Sequence, residues 1–211
     1  MSTVAAAPAL PGPDLAARAY VALLHHPVYD KRRRVVATAI TNLDIHDIAR
    51  ACRTFGLGGF FLVTPIAAQR DLGNRIIGHW RGGFGAVYNE RRKEALDVVT
   101  IASDLDEARA LVRARTGAEP LTCATCARPR GTLTEAQLVD DLRLGGRPLL
   151  LLFGTGWGLT DEVLAGVDRV LRPIRAGSDY NHLSVRAAVA IVLDRLFGDR
   201  ESPAALTGGQ K

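Results

Sequence analysis

The sequence is poor in cysteine, has a single methionine and contains no long apolar run. Three cysteines, Cys52, Cys123 and Cys126, are an odd number without the even rhythm of a disulfide scaffold, which points to a reducing cytoplasm. Cys123 and Cys126 frame a short Cys-Ala-Thr-Cys tetrad, but no second cysteine pair completes the four ligands of a structural zinc site, so no metal is expected. The longest apolar stretch, 149–153, falls far short of the roughly 18 residues that cross a bilayer. No membrane segment is expected. The N-terminal stretch has Ala and Pro but neither the charged start nor the apolar run of a signal peptide.

What is present fits one globular domain. The chain has 211 residues, 47% of them hydrophobic and 23% charged, enough apolar material for a real core and too little charge for wholesale disorder. Lysine and arginine number 27 against 22 acids, a formal +5 that suits a polyanionic partner without selecting one. Residues 1–18 and 201–211 are rich in Ala, Pro and Gly and read as mobile tails, leaving 19–200 as the working domain.

Strand-like apolar runs occur at 20–24, 35–40, 60–64, 98–102, 121–125, 149–153 and 170–174. Helical patterns separate most of them. Ile45, Ile48, Ala49, Cys52 and Phe55 form one apolar stripe, which Gly56 terminates. Leu72, Ile76, Ile77 and Trp80 form another. Asp104 with Glu107 and Thr134 with Gln137 have the spacing of capping boxes, and Ser184 caps a helix whose face is Val185, Ala188, Val189, Val192, Leu193 and Leu196. Alternating strands and helices predict an α/β fold with a mostly parallel sheet flanked by helices, because parallel strands need crossover segments. Ligands of such sheets bind beyond the carboxyl ends of the strands. Chemistry is therefore sought in the loops after residues 125, 153 and 174.

The most apolar strand runs into Gly154, Thr155, Gly156, Trp157 and Gly158, followed by Thr160 as the start of a short helix. Three alternating glycines let backbone approach a ligand closely and adopt positive φ. A turn that merely fits between strand and helix is the competing reading. The G-x-G-x-G spacing and its late position do not match a dinucleotide fingerprint, and no Lys-Ser or Lys-Thr follows as in a phosphate loop. Asp161 and Glu162 at the helix start would repel a phosphate. A neutral or cationic ligand fits better.

The segment 172–184 gathers an acid, a phenol, an amide and an imidazole before a helix N-terminus: Asp179, Tyr180, Asn181 and His182. Asp179 can accept a proton from a nucleophile, and Asn181 can orient a ligand. Both are also ordinary turn formers.

Several segments together resemble the SPOUT methyltransferases, and within them a bacterial RNA methyltransferase family related to tRNA guanine-N1 methyltransferase. They are YVALLHHPVY at 20–29, TNLDIHDIAR at 41–50, FLVTP at 61–65, IIGHW at 76–80, LLFGTGWGL at 151–159 and DYNHLSVR at 179–186. Their joint order is specific. The resemblance implies a C-terminal trefoil knot that binds S-adenosylmethionine, in a homodimer with active sites at the subunit interface. The knot loops would supply Thr122, Cys123 and Ala124, then Gly154 to Gly158, then Ile174, Gly177, Tyr180, Asn181, His182, Leu183 and Ser184 as cofactor contacts.

The stretch 44–56 is similar to the first motif of the ribose-methylating branch, with Arg50 and Gly56 in place and Asp44 where asparagine is usual. The stretch 177–180 is similar, with one inserted residue, to the Gly-Asp-Tyr of the guanine-N1 branch, whose aspartate is considered the general base. The RNA-binding C-terminal domain of that branch is absent from this chain. The resemblance thus implies methylation of RNA, tRNA foremost, at a base nitrogen such as guanine N1, with Asp179 as base and Arg50, near Asp44, stabilising charge. Ribose 2′-O-methylation and a non-catalytic RNA-binding scaffold are the alternatives. A nicotinamide-dependent oxidoreductase is disfavoured by the glycine spacing. Two basic runs, Lys31, Arg32, Arg33 and Arg34, and Arg91, Arg92 and Lys93, are candidate phosphate contacts, against the plainer reading of solvated charge.

Overall fold

The computed structural model describes residues 13–128, 130–175 and 177–199. The elements follow in the order α1 (Pro13–Ala17), β1 (Ala19–Leu24), β2 (Val28–Tyr29), β3 (Val35–Val36), α2 (Asn42–Thr54), β4 (Gly59–Val63), α3 (Ala67–Arg81), α4 (Phe84–Tyr88) and α5 (Glu90–Asp97). They continue with β5 (Val99–Ala102), α6 (Leu105–Thr116), β6 (Leu121–Ala124), α7 (Glu135–Gly145), β7 (Leu149–Gly154), α8 (Asp161–Ala165), β8 (Arg169–Val170) and α9 (Val185–Phe197). Six strands form one sheet in the order β5-β4-β1-β7-β6-β8, and every pairing in it is parallel. The expected α/β architecture with a parallel sheet is what the chain adopts.

The interior strands are apolar on both sides because helices cover both faces. In β7, Leu149, Leu151 and Phe153 face one side and join Ile45, Ile48 and Cys52 of α2, Leu138 of α7, and Val189 and Leu193 of α9. Leu150 and Leu152 face the other, with Ala108 and Val112 of α6, Leu164 of α8 and Val28. The N-caps are local and specific. Thr41, Asp104, Thr134, Thr160 and Ser184 each accept a backbone N–H from the first turn of the helix that follows. The pair Thr134 and Gln137 is a full capping box. At Asp104 the reciprocal arm differs, since the Glu107 carboxylate accepts from the Ser103 amide instead.

Three expectations shift. Pro13–Ala17 is helical, and Leu15 and Ala16 pack on the core, so the folded unit starts before residue 18. The strand expected at 35–40 is a two-residue arm of a hairpin with β2, because Thr38 and Ile40 leave the ladder to bond His25 O and the Gln69 side chain. The strand expected at 170–174 is only Arg169–Val170; Leu171 and Arg172 instead run against Leu133. That passage is tight. A Cβ on Gly131 would lie 2.0 Å from the Leu171 carbonyl oxygen, so only glycine fits. The expected C-terminal tail, 201–211, lies outside the described residues.

Candidate active site

Strand order reverses between β1, whose other neighbour is β4, and β7, whose other neighbour is β6. An open α/β sheet binds ligands at the carboxyl ends of its strands beside such a switch point. The loop after β7 sits there. Its Thr155 amide donates to Leu24 O at 3.3 Å, and Thr155 Oγ1 lies 2.5 Å from Thr38 Oγ1, which in turn is 3.0 Å from His25 Nδ1. His25 is fully buried, and burial lowers its pKa to about 4, with Asp44 pulling the other way. A neutral imidazole thus anchors the loop.

The β2–β3 hairpin lies across the glycines. Tyr29 N donates to Gly158 O and Trp157 N to Tyr29 O, both at 2.9 Å. Gly156 and Gly158 have φ of +58° and +93°, and a Cβ on Gly156 would come within 2.8 Å of Tyr29 O. Both the backbone conformation and the space require glycine at 156. The Trp157 ring projects outward, 62% exposed.

The other two predicted loops meet beside it. Asn181 Nδ2 donates to Ala127 O at 3.0 Å, tying the segment after β8 to the loop after β6. Arg128 donates to Leu159 O at 3.4 Å, tying the loop after β6 to the loop after β7. Thr125 donates its amide and hydroxyl to Leu152 O. The amides of Cys126, Ala127 and Gly156 have no partner among the described residues. Unspent donors at a strand end can hold a ligand's polar edge.

Not every candidate lies on these three loops. Thr122 belongs to β6, where its amide and hydroxyl both donate to Asp168 Oδ2 at 2.8 and 2.7 Å. Cys123 lies in the core, and burial pushes its thiol up to about 12. Ala124 is buried on the opposite face of the sheet. The loop proper therefore begins at Thr125, because the strand runs two residues deeper than a pattern of small residues suggests. Ile174 packs against the core, and Ser184 caps α9. Gly177, Asp179, Tyr180, His182 and Leu183 are exposed, with the Tyr180 and His182 rings edge to face at 5.4 Å and the Ser178 hydroxyl accepting from Tyr180 N.

Asp44 is only 6% exposed and accepts from Thr41 Oγ1 at 2.6 Å and from Arg186 at 3.0 Å. Its charge is committed to joining α2 to α9, a partnership across 142 positions that no local pattern reveals. Arg50 is exposed on α2.

One electrostatic expectation is revised. Asp161 bonds Arg33 at 2.8 Å and Arg130 at 2.7 Å. Against the upward push of desolvation, Arg130, Arg33 and Arg128 hold its carboxyl below the usual value. The mouth of the glycine loop thus carries a surplus of guanidinium groups, and the acid at 161 does not repel anions from it. Arg33 adopts φ of +60°, held by a turn in which the Asp30 carboxylate accepts from the amides of Arg32 and Arg34. Arg91 and Lys93 are exposed on α5, and the Arg92 guanidinium lies 4.7 Å from the centre of the Trp80 ring. No cluster of metal-ligating side chains occurs among the described residues.

A parallel sheet with this strand order, and loops tied together beside its switch point, define an open α/β fold with a candidate ligand site at the strand ends. Solved structures with this fold include TrmJ from Z. mobilis, at a TM-score of 0.54 and 21% identity over 88% of this chain and 71% of that one. An AdoMet-bound rRNA methyltransferase from Sinorhizobium meliloti follows it at 0.52 and 16%, over 87% and 58%. The chain belongs to a family of SAM-dependent RNA methyltransferases, whose model matches residues 18–198. A tRNA (guanine-N(1)-)-methyltransferase of Nitratidesulfovibrio vulgaris is 47% identical over 180 residues. That alignment takes in 85% of this chain and 42% of the relative, so the chain spans less than half the length of that protein.

Proposed function

We propose that this chain methylates tRNA at a base nitrogen, guanine N1 foremost, using S-adenosylmethionine. The observation that carries the proposal is the convergence of three loops, distant in sequence, through the Asn181–Ala127 and Arg128–Leu159 hydrogen bonds. The loops fit the cofactor chemically in offering backbone amides at Cys126, Ala127 and Gly156 that have no partner among the described residues. When bound, the cofactor supplies an electrophilic methyl on a sulfonium.

Positioning contributes much of the acceleration in such a transfer, and the chain's own residues do that work. Asp179, exposed on the third of these loops, takes the proton from the attacking nitrogen. Arg50, supplied by a partner subunit in a homodimer, stabilises the negative charge that develops on the base. Asp44 holds α2 against α9 through Arg186 and so fixes the helix that carries Arg50. Arg32, Arg33 and Arg34, with Arg128 and Arg130, grip phosphates around the glycine loop. A trefoil threading of the C-terminal chain accompanies this reading, supported by the close passage of 131–133 against 171–172.

The test is methyl transfer to an unmodified tRNA transcript, followed by nucleoside mass spectrometry. Asp179→Ala is expected to lower the rate by about 10²- to 10⁴-fold, with cofactor affinity unchanged. Full activity in that variant removes the base assignment, and a methylated ribose oxygen removes the base-nitrogen assignment.

A further inference from the structure

An exposed apolar patch lies away from the glycine loop, on α4. Phe84, Val87 and Tyr88 are 77%, 85% and 78% exposed, and the Phe84 and Tyr88 rings stack at 6.0 Å with 21° between their planes. The patch is held out by construction. Gly85, on the inward side of α4, sits against the Trp80 ring so closely that a Cβ would lie 2.7 Å from it. The other contacts of Trp80 are the Arg92 guanidinium and the edges of His46 and His79. A short helix is thus clamped on an indole pillar with its aromatic side turned to solvent.

Cations outnumber acids around the patch: Arg91, Arg92 and Lys93 share α5 with Glu90 and with Glu94, which is paired to Arg53. A shallow surface depression beside the pillar is lined by Asn42, Arg75, Ile76, His79 and Trp80, without a carboxylate. Among the described residues, Arg75, Arg91 and Lys93 have no acidic partner, whereas most arginines elsewhere on the surface are ion-paired. Burial, followed by Arg92, lowers the His46 imidazole against the opposing pull of Asp47, so the ring beside the pillar favours its neutral form.

We infer that the Phe84 and Tyr88 rings are a stacking platform for unpaired bases of the RNA substrate, with Arg75, Arg91 and Lys93 on the flanking phosphates. The inference rests on the proposed function for its ligand class. Every base has a π face, so exposed rings within a cationic rim suit single-stranded RNA. A second copy of this chain suits the patch poorly. A two-fold contact centred on α4 would bring the same unpaired cations of both copies together.

The test uses the full chain with two probes, an unmodified tRNA transcript and a short oligouridine, over a range of salt. Phe84→Ala with Tyr88→Ala is expected to weaken both by about tenfold or more, without changing the salt slope. Cofactor affinity and sedimentation should match wild type. Phe84→Leu with Tyr88→Leu, which keeps apolar area and removes the π faces, should bind as weakly as the alanine pair. Wild-type affinity in either double variant overturns the platform, as does a shift from dimer to monomer at unchanged RNA affinity. If wild type binds oligouridine but methylates no tRNA, the proposed function fails and the platform stands; if wild type binds neither probe, both fail.

Discussion

The two sides of the switch point finish their strands differently. Beyond β4 and β5 most of the backbone is tied: the Thr64 amide donates to Ala102 O, the Ile66 amide to Thr64 Oγ1 and the Ser103 amide to the Glu107 carboxylate. Beyond β6 and β7 the first residue is likewise tied, but among the described residues the next three amides, at Cys126, Ala127 and Gly156, have no partner, against the one at Asp104 on the other side. A fold commits most of its polar backbone to itself, and the donors it withholds mark where a ligand is expected. The difference also separates two aromatic displays, Trp157 and Tyr180 around the open loops and Phe84 and Tyr88 on the closed side.

Of the changes considered, breaking the strand that joins the two sides should have the largest effect on stability. Leu151 is fully buried in β7, which pairs with β1 and β6, and Leu151→Ala is expected to cost about 2 to 5 kcal/mol in denaturant unfolding. Ile101→Ala, on the edge strand β5 and only partly buried, should cost less, and equal losses would contradict the comparison.

Acid should act at the junction itself through His25. Its folded pKa, about 4, lies below the ordinary 6.5, so between these values the unfolded chain takes up a proton that the folded one refuses. The stability involved is fully present above about pH 6.5 and is lost as pH falls toward 4, roughly 3 kcal/mol in all. Comparing unfolding of wild type and His25→Gln at pH 7 and pH 4.5 should show that decline to be shallower in the variant.

The smallest stability change is expected at the open mouth. Replacing Arg32, Arg33 and Arg34 with Ala removes the Arg33–Asp161 and Arg34–Asp30 pairs, whose solvent screening leaves little stability to lose. The same change should flatten the salt dependence of RNA binding, and an unaltered slope would separate these arginines from the RNA path.

The features read correctly from sequence are those encoded locally. The stripe of α2, the Ser184 cap of α9, the Thr134 capping box and the continuous apolar run of β7 depend on residues a few positions apart. The convergence of the three loops was legible because strand ends and switch points follow from topology. What stayed hidden depends on distance. Nothing near Asp161 announces Arg33, nothing near Asp44 announces Arg186, and the depth of β6 at Thr122 is set by Asp168. The α4 patch misleads in another way: Phe84, Val87 and Tyr88 have the spacing of a buried helical face, yet Gly85 turns them outward.

The central pairing of the sheet carries a consequence for synthesis. Leu24 registers with Gly154, so one flank of β1 has no neighbour until β7 has left the ribosome. Between the synthesis of β5 and that of β7 the nascent chain holds β1, β4 and β5 as a half-sheet with an open apolar margin, since pairings distant along the chain close slowly. Rapid overproduction therefore exposes that margin to other copies. Slower translation, or a chaperone that shields unpaired strands, should raise the yield of soluble protein.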